Sequence, residues 1–312
     1  MTTRMSGTSG TGAALLLVLM ATACGGSGGA EPEQALGSVP IDGVGAVEPD
    51  TALAESLPDH IRDAGLVSVA TNAPYEPFIA FVEEGDQESF TGLDHDLMVA
   101  ASARLGLDTD FQQQPFDGLV PGLQAGRYDV IVGGITDNRE RQDVASFVDY
   151  TASGTGILVE DGNPLDIGSI ADLCGLRVGV QKASRQQEIL EGYAEQDCDE
   201  PIEITSYPEN PQAVTALSAG MVDAVGATQV NLVETAAALE GEAELVVDPD
   251  HPNGYLASPN GFGFLKSEEE LVEAYRASVQ SLMDDGTYTD ILAKWGQEPI
   301  ALDEATVNQA ID

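Results

Sequence analysis

Arg141 follows a short apolar strand, a glycine pair and a threonine, a placement suited to gripping a carboxylate. The stretch begins Phe116-Asp117-Gly118-Leu119-Val120-Pro121-Gly122-Leu123. It continues through Gly126 to Val130-Ile131-Val132-Gly133-Gly134-Ile135-Thr136, and Arg141 stands five positions later. Open α/β sheets bind ligands at the carboxyl ends of their strands. A guanidinium there binds a carboxylate through two parallel N–H donors. The Thr136 hydroxyl and backbone amides around Gly134 would add donors.

The elements that must position these groups are readable from periodicity. Leu119 and Leu123 share a helical face, Pro121 fits a first turn and Gly126 ends the helix before the strand 130–132. Upstream, the pattern predicts a strand over 66–70, a loop over 71–78 and a hairpin-like segment over 79–90. A helix capped by Asp94 then runs to Leu105, and a strand covers 109–113. Downstream, Ser169 caps a short helix closed by Gly175. Strands over 177–180, 202–207 and 223–226 alternate with helices over 186–196 and 212–219, a rhythm that implies a parallel sheet. A strand over 260–264 and helices over 268–284 and 288–294 follow. Periodicity alone supports two α/β units.

Further motifs flank this core: Asn72-Ala73-Pro74-Tyr75-Glu76-Pro77-Phe78, Gly92-Leu93-Asp94-His95-Asp96-Leu97, Gly175-Leu176-Arg177-Val178-Gly179-Val180-Gln181, and Asp285-Gly286-Thr287-Tyr288 to Lys294-Trp295-Gly296. In that order, over roughly residues 58–298, the chain resembles the solute-binding proteins of family 3, the polar amino-acid-type binding lipoproteins of ABC importers. The resemblance implies a class II periplasmic binding protein architecture, two α/β lobes joined by two hinge crossings. Lobe one would span 58–152 and 258–300, lobe two 153–257, with a C-terminal tail over 301–312.

It also implies site roles. Arg141 matches the residue that clamps the ligand's α-carboxylate, assisted by Thr136 and by backbone amides at Gly134 and Thr136. Arg139 also follows Thr136, but spacing back from Ser146-Phe147-Val148-Asp149 favours Arg141. Tyr75 and Phe116 match two aromatic walls, and Asn72 a position that reads the ligand's side chain. Lobe two departs from the family: after Gln181-Lys182, Ala183-Ser184-Arg185 replaces its Gly-Thr/Ser-Thr run. The aspartate that holds the ligand's ammonium, five residues after Asp223, is Thr228, with Gln229 beside it. Ser184 and Gln187 form a capping box that aims amides at the cleft. Arg185 either adds positive charge there or points to solvent, leaving the amine to Gln229 or a water. Acid lost and base gained favour an acidic, neutral or N-substituted ligand over arginine, lysine or histidine. Asp94, Asp96 and Asp223 match structural positions.

Residues 1–23 resemble a lipoprotein signal peptide: Arg4, an apolar run too short to span a bilayer, and Ala21-Thr22-Ala23 before Cys24. Lipid on Cys24 would hold the chain at the outer face of the cell membrane, with 24–57 as a flexible tether; a plain secretory peptide cut after Ala23 is the alternative. Two cysteines remain, Cys174 and Cys198. The export reading and the resemblance both imply a disulfide, closing a loop of about 24 residues and stabilising by roughly 3 kcal/mol. The chain carries 53 acidic and 12 basic residues, a formal charge of −41, which argues against nucleic acid or anionic membrane as a partner. No cofactor or metal is expected. His60, His95 and His251 are scattered, no nucleophile triad emerges, and no strand precedes the glycine-rich 25–29 stretch.

The reading is an extracytoplasmic, non-enzymatic, monomeric binding lipoprotein that captures a small polar amino acid or related carboxylate and delivers it to a membrane permease. A ligand-sensing module for a membrane receptor and a cyclohexadienyl-dehydratase-like enzyme are the alternatives. A dehydratase needs a general acid in the cleft, and the sequence identifies none there.

Overall fold

A computed structural model describes residues 37–83 and 85–311. The expected signal peptide and Cys24 lie outside the described residues. The chain opens with β1 (Val39–Ile41), β2 (Gly45–Val47), α1 (Thr51–Ala54), α2 (Asp59–Ala64), β3 (Leu66–Thr71), β4 (Ala80–Phe81) and β5 (Phe90–Thr91). It continues through α3 (Leu93–Arg104), β6 (Asp108–Gln113), α4 (Leu119–Gln124) and β7 (Val130–Val132) to the 16-residue strand β8 (Ala145–Glu160). The second lobe holds β9 (Arg177–Gln181), α5 (Arg185–Gln196), β10 (Glu203–Tyr207), α6 (Asn210–Ser218), β11 (Ala224–Thr228), α7 (Gln229–Ala238) and β12 (Ala243–Leu245). Strand β13 (Tyr255–Leu265) returns to lobe one, where α8 (Glu269–Asp284), α9 (Thr287–Lys294) and β14 (Ala301–Val307) complete it.

One continuous sheet carries the order β10-β9-β11-β8-β13-β7-β3-β6. Its parallel pairs are β3 with β6 and β7, and β9 with β10 and β11. The two crossing strands, β8 and β13, pair antiparallel along the middle, with register shifts between Tyr255 and Ser258 and at Asn260/Gly261. The two hinge crossings therefore run through strands that belong to both lobes. Every parallel strand of lobe one ends towards the seam between the lobes, which is why chemistry collects at Thr71, Gln113 and Val132.

Burial follows the periodicity. Val67, Val69, Leu93, Leu97, Phe262, Phe264 and Tyr275 are buried in lobe one. Val178, Val180 and Leu190 pack on one face of the second sheet half, and Leu158, Leu217 and Val225 on the other. Each such side chain contributes roughly 1.5–3 kcal/mol by leaving water. Among the described residues, no helix is long and apolar enough to cross a membrane.

Four expectations need correction. The tether expected over 24–57 is folded from Val39: β1 and β2 form a hairpin, and Ile41, Val47 and Leu57 enter the lobe-one core. The Asp42-Gly43 turn, with Gly43 at φ +73°, is the signal for it. The tail expected over 301–312 is no tail, since β14 pairs with β8 at Val148, Asp149 and Thr151. Asp94 lies inside α3 rather than capping it; Gly92 holds the cap position. Helix α7 and strand β12 carry weak patterns and were not anticipated. The Cys174–Cys198 disulfide is present, with Cα atoms 5.5 Å apart.

Candidate ligand-binding site

Arg141 sits at the seam between the lobes, in a 3-10 turn after the β7 loop, and is only 9% exposed. Its Nη1 donates to the Thr136 carbonyl at 2.6 Å, and its Nη2 to the Ala183 carbonyl of lobe two at 3.0 Å. The guanidinium lies 5.5 Å from the centroid of the Phe116 ring. Burial lowers its pKa to about 10, opposed by the nearby charges of Glu188 and Glu140; it remains cationic at neutral pH. Arg139 is exposed. Of the two candidates, Arg141 is the buried one facing lobe two.

Thr136 is buried, and its backbone bridges to Asn260 of β13. Gly134 does not offer an amide to the cleft. Its N–H, at 2.7 Å, and that of Gly133, at 3.0 Å, both donate to the buried Asp94 carboxylate, while its carbonyl accepts from the Asn260 amide. Burial outweighs these bonds and raises the Asp94 pKa to about 6. Gly134 has φ +66°, and a Cβ there would stand 2.8 Å from the Phe78 ring. Its role is to let the loop turn tightly beneath the site, a correction to the expected role as an amide donor.

Tyr75 is buried, its ring stacked 6.1 Å from Phe78, and its hydroxyl accepts the Thr228 N–H at 3.0 Å. Burial raises the phenol pKa, so the group stays neutral. Asn72 is buried; its Nδ2 donates to the Gln114 carbonyl and its Oδ1 accepts from Gln181 Nε2 at 2.9 Å. Phe116 is half-buried. Thr228 also accepts from Gln186 at 3.2 Å through its hydroxyl. Ser184 caps α5 by accepting the Gln187 N–H, and the Gln187 side chain reaches back to the Ala183 N–H, one residue earlier than a capping box requires. Arg185 pairs with Glu188 at 2.5 Å and faces a separate cavity with Tyr193 and Tyr255.

The lobes are thus in direct contact at Arg141–Ala183, Tyr75–Thr228 and Asn72–Gln181. Asn231 Nδ2 adds a bond to the Glu76 carbonyl at 2.7 Å, and Lys182 pairs with Asp117 at 2.8 Å. Beside them opens a cleft of about 690 Å³ lined by Phe116, Asn138, Arg141, Ser184, Gln187 and Glu188 among others. Sequence reasoning missed Asn138 and Glu188, which meet across it at 3.2 Å. Glu188 was detectable: four residues after the Ser184 cap, it must share that residue's helix face. Glu209, at the start of α6, lies against Asn72, and burial raises its carboxyl pKa. Carboxylates therefore do border the seam, which removes the premise on which a cationic ligand was disfavoured. Among the described residues no cluster suited to a metal ion occurs.

Residues 67–298 match the model of the bacterial extracellular solute-binding proteins, family 3. The arginine-binding protein ArgT of Corynebacterium glutamicum is 33% identical over 276 residues, covering 86% of this chain and 87% of that protein. The L-cystine-binding protein TcyJ of Escherichia coli is 26% identical over 246 residues, 77% of this chain and 86% of its own. Among solved structures, an ancestral arginine-binding protein bound to glutamine superposes with a TM-score of 0.65 at 31% identity, covering 75% of this chain and 99% of that one. These relatives are solute-binding proteins, not enzymes. The chain belongs to the family 3 bacterial extracellular solute-binding proteins.

Proposed function

We propose that this chain is the extracytoplasmic binding component of an ABC importer, closing two lobes around a polar α-amino acid and delivering it to a membrane permease. The observation that carries this reading is Arg141, a buried cation at the seam of the lobes with Phe116 beneath it. A carboxylate is the partner such a group recognises best. Ligand contacts to both lobes would shift a hinge equilibrium towards the closed form, with β8 and β13 as the bending strands.

Amino acids with long nitrogen-bearing side chains, arginine first and glutamine second, are the leading candidates. The names of the similar proteins support this, and so do Asp117 and Glu209, which border the seam beside Lys182 and Asn72. Lipid on Cys24 would keep a monomeric receptor near the permease. Calorimetric titration with arginine, glutamine, histidine, cystine and glutamate tests the reading. Micromolar or tighter binding of at least one, lost in Arg141→Ala, is expected; no binding by any of the five would refute it. Intact-mass analysis of membrane-extracted protein tests the lipid, since an unmodified Cys24 would exclude it.

A further inference from the structure

We propose that Glu188 receives the ligand's α-ammonium group, the role that Thr228 has no charge to fill. This assignment rests on the reading of Arg141 as the carboxylate clamp. Thr228 gives its N–H to Tyr75, and its hydroxyl accepts from Gln186. Neither brings a negative charge. An ammonium buried there would lie without a compensating charge.

Glu188 supplies that charge at the right place. It stands one turn beyond Ser184 on α5, and Ala183, next to that cap, touches the Arg141 guanidinium. Glu188 and Arg141 line the same cleft, from lobe two and lobe one respectively. The Glu188 Oε2 accepts the Asn138 amide at 3.2 Å across the seam, so the carboxylate already holds a donor from lobe one. Its Oε1 is fixed by Arg185 at 2.5 Å, which orients the second oxygen towards the cleft. The Arg185 side chain is 11% exposed, turned away from the cleft, with its buried Nε unpaired among the described residues. Arg185 is therefore a positioning residue for Glu188 rather than a ligand contact. The arrangement sets a cation and an anion on opposite lobes of one cleft, the charge pattern that an α-amino acid's head group complements. A ligand bridging Arg141 and Glu188 would replace the Asn138–Glu188 bond with a stronger, charged one.

The test uses L-arginine, L-glutamine and their 2-hydroxy analogues, which keep the carboxylate and side chain but lack the ammonium. Glu188→Gln should raise the Kd of the amino acids at least tenfold and that of the hydroxy acids less than threefold. Adding Thr228→Asp to Glu188→Gln should recover most of the lost affinity, because it restores a carboxylate to lobe two, at the carboxyl end of β11. An equal effect of Glu188→Gln on amino and hydroxy acids, or none on either, with Arg141→Ala still abolishing both, overturns the assignment and leaves the clamp intact. An unchanged Kd in Arg141→Ala would sink the clamp itself, and the assignment with it. Thermal melting of each variant separates lost contacts from lost folding.

Discussion

The Tyr75 hydroxyl accepts the backbone N–H of Thr228 at 3.0 Å, tying a loop of lobe one to the carboxyl end of β11 in lobe two. The contact is buried on both sides, and the tyrosine stays neutral because burial raises its pKa. A ring expected as a wall for the ligand therefore also acts through its hydroxyl as part of the interlobe seam. Asn72 does the same through Gln181.

Tyr75→Phe keeps the ring and strands one buried N–H. Leaving such a donor unpaired costs about 1–3 kcal/mol, and the cost falls on the closed form alone. Affinity should drop roughly tenfold or more by calorimetry, with most of the change in the dissociation rate by stopped flow. A Kd within twofold of the parent would show that the bond does not contribute to closure.

Arg141→Ala should weaken amino-acid binding by at least about 3 kcal/mol, the usual consequence of removing one member of a desolvated charge pair. Arg139→Ala should change it little, because that side chain is exposed. Reversed effects in the two variants would move the carboxylate clamp two residues along the loop.

Strands and helices with strong periodicity were legible, and β7, β9, α8 and α9 fall within a residue or two of expectation. Short elements that owe their order to tertiary pairing were not. Strand β14 alternates weakly and is ordered by β8 and α8; the β1–β2 hairpin is three residues a side and stands on Ile41 and Val47. The site divides in the same way. Local motifs pointed to Arg141 through the strand, glycine pair and threonine before it, and the family resemblance pointed to Tyr75 and Phe116. The destination of the Gly134 amide depended on Asp94, forty residues away. No local pattern encodes that pairing, nor the meeting of Asn138 with Glu188.

Asp149, in the crossing strand β8, is fully buried, and its carboxyl pKa is pushed up to about 8, mainly by burial and further by Asp137. Gln309 N–H and the Thr306 hydroxyl donate to it. Asp137 is itself raised to about 6, chiefly by burial. A pKa raised on folding favours the protonated, folded form. That stability is fully present below about pH 4 and is lost as pH rises through about 8. Asp149→Asn mimics the protonated state, so it should flatten the pH dependence. The wild type should lose on the order of 4 kcal/mol relative to the variant between pH 5 and pH 9. Parallel stability curves in denaturant titrations across that window would rule out Asp149 as the titrating group.

Cys174 and Cys198 close a loop that contains β9 and α5. Both lie at the end of lobe two away from the seam, since β9 reaches the cleft at Gln181 and α5 at Ser184. Removing the bond frees about 24 residues of the unfolded chain, which costs roughly 3 kcal/mol in the chain-entropy picture. The Cys174→Ser/Cys198→Ser variant should therefore lose about that much stability in denaturant titration. The amino-acid Kd should stay within threefold, because β9 and α5 are held at their cleft ends by the Ser184 cap and by Val178, Val180 and Leu190 in the core. An unchanged unfolding midpoint would show that the folded lobe gains nothing from the bond. A large loss of affinity with little loss of stability would instead mean that the bond tensions α5 and so positions Ser184 and Glu188 at the seam.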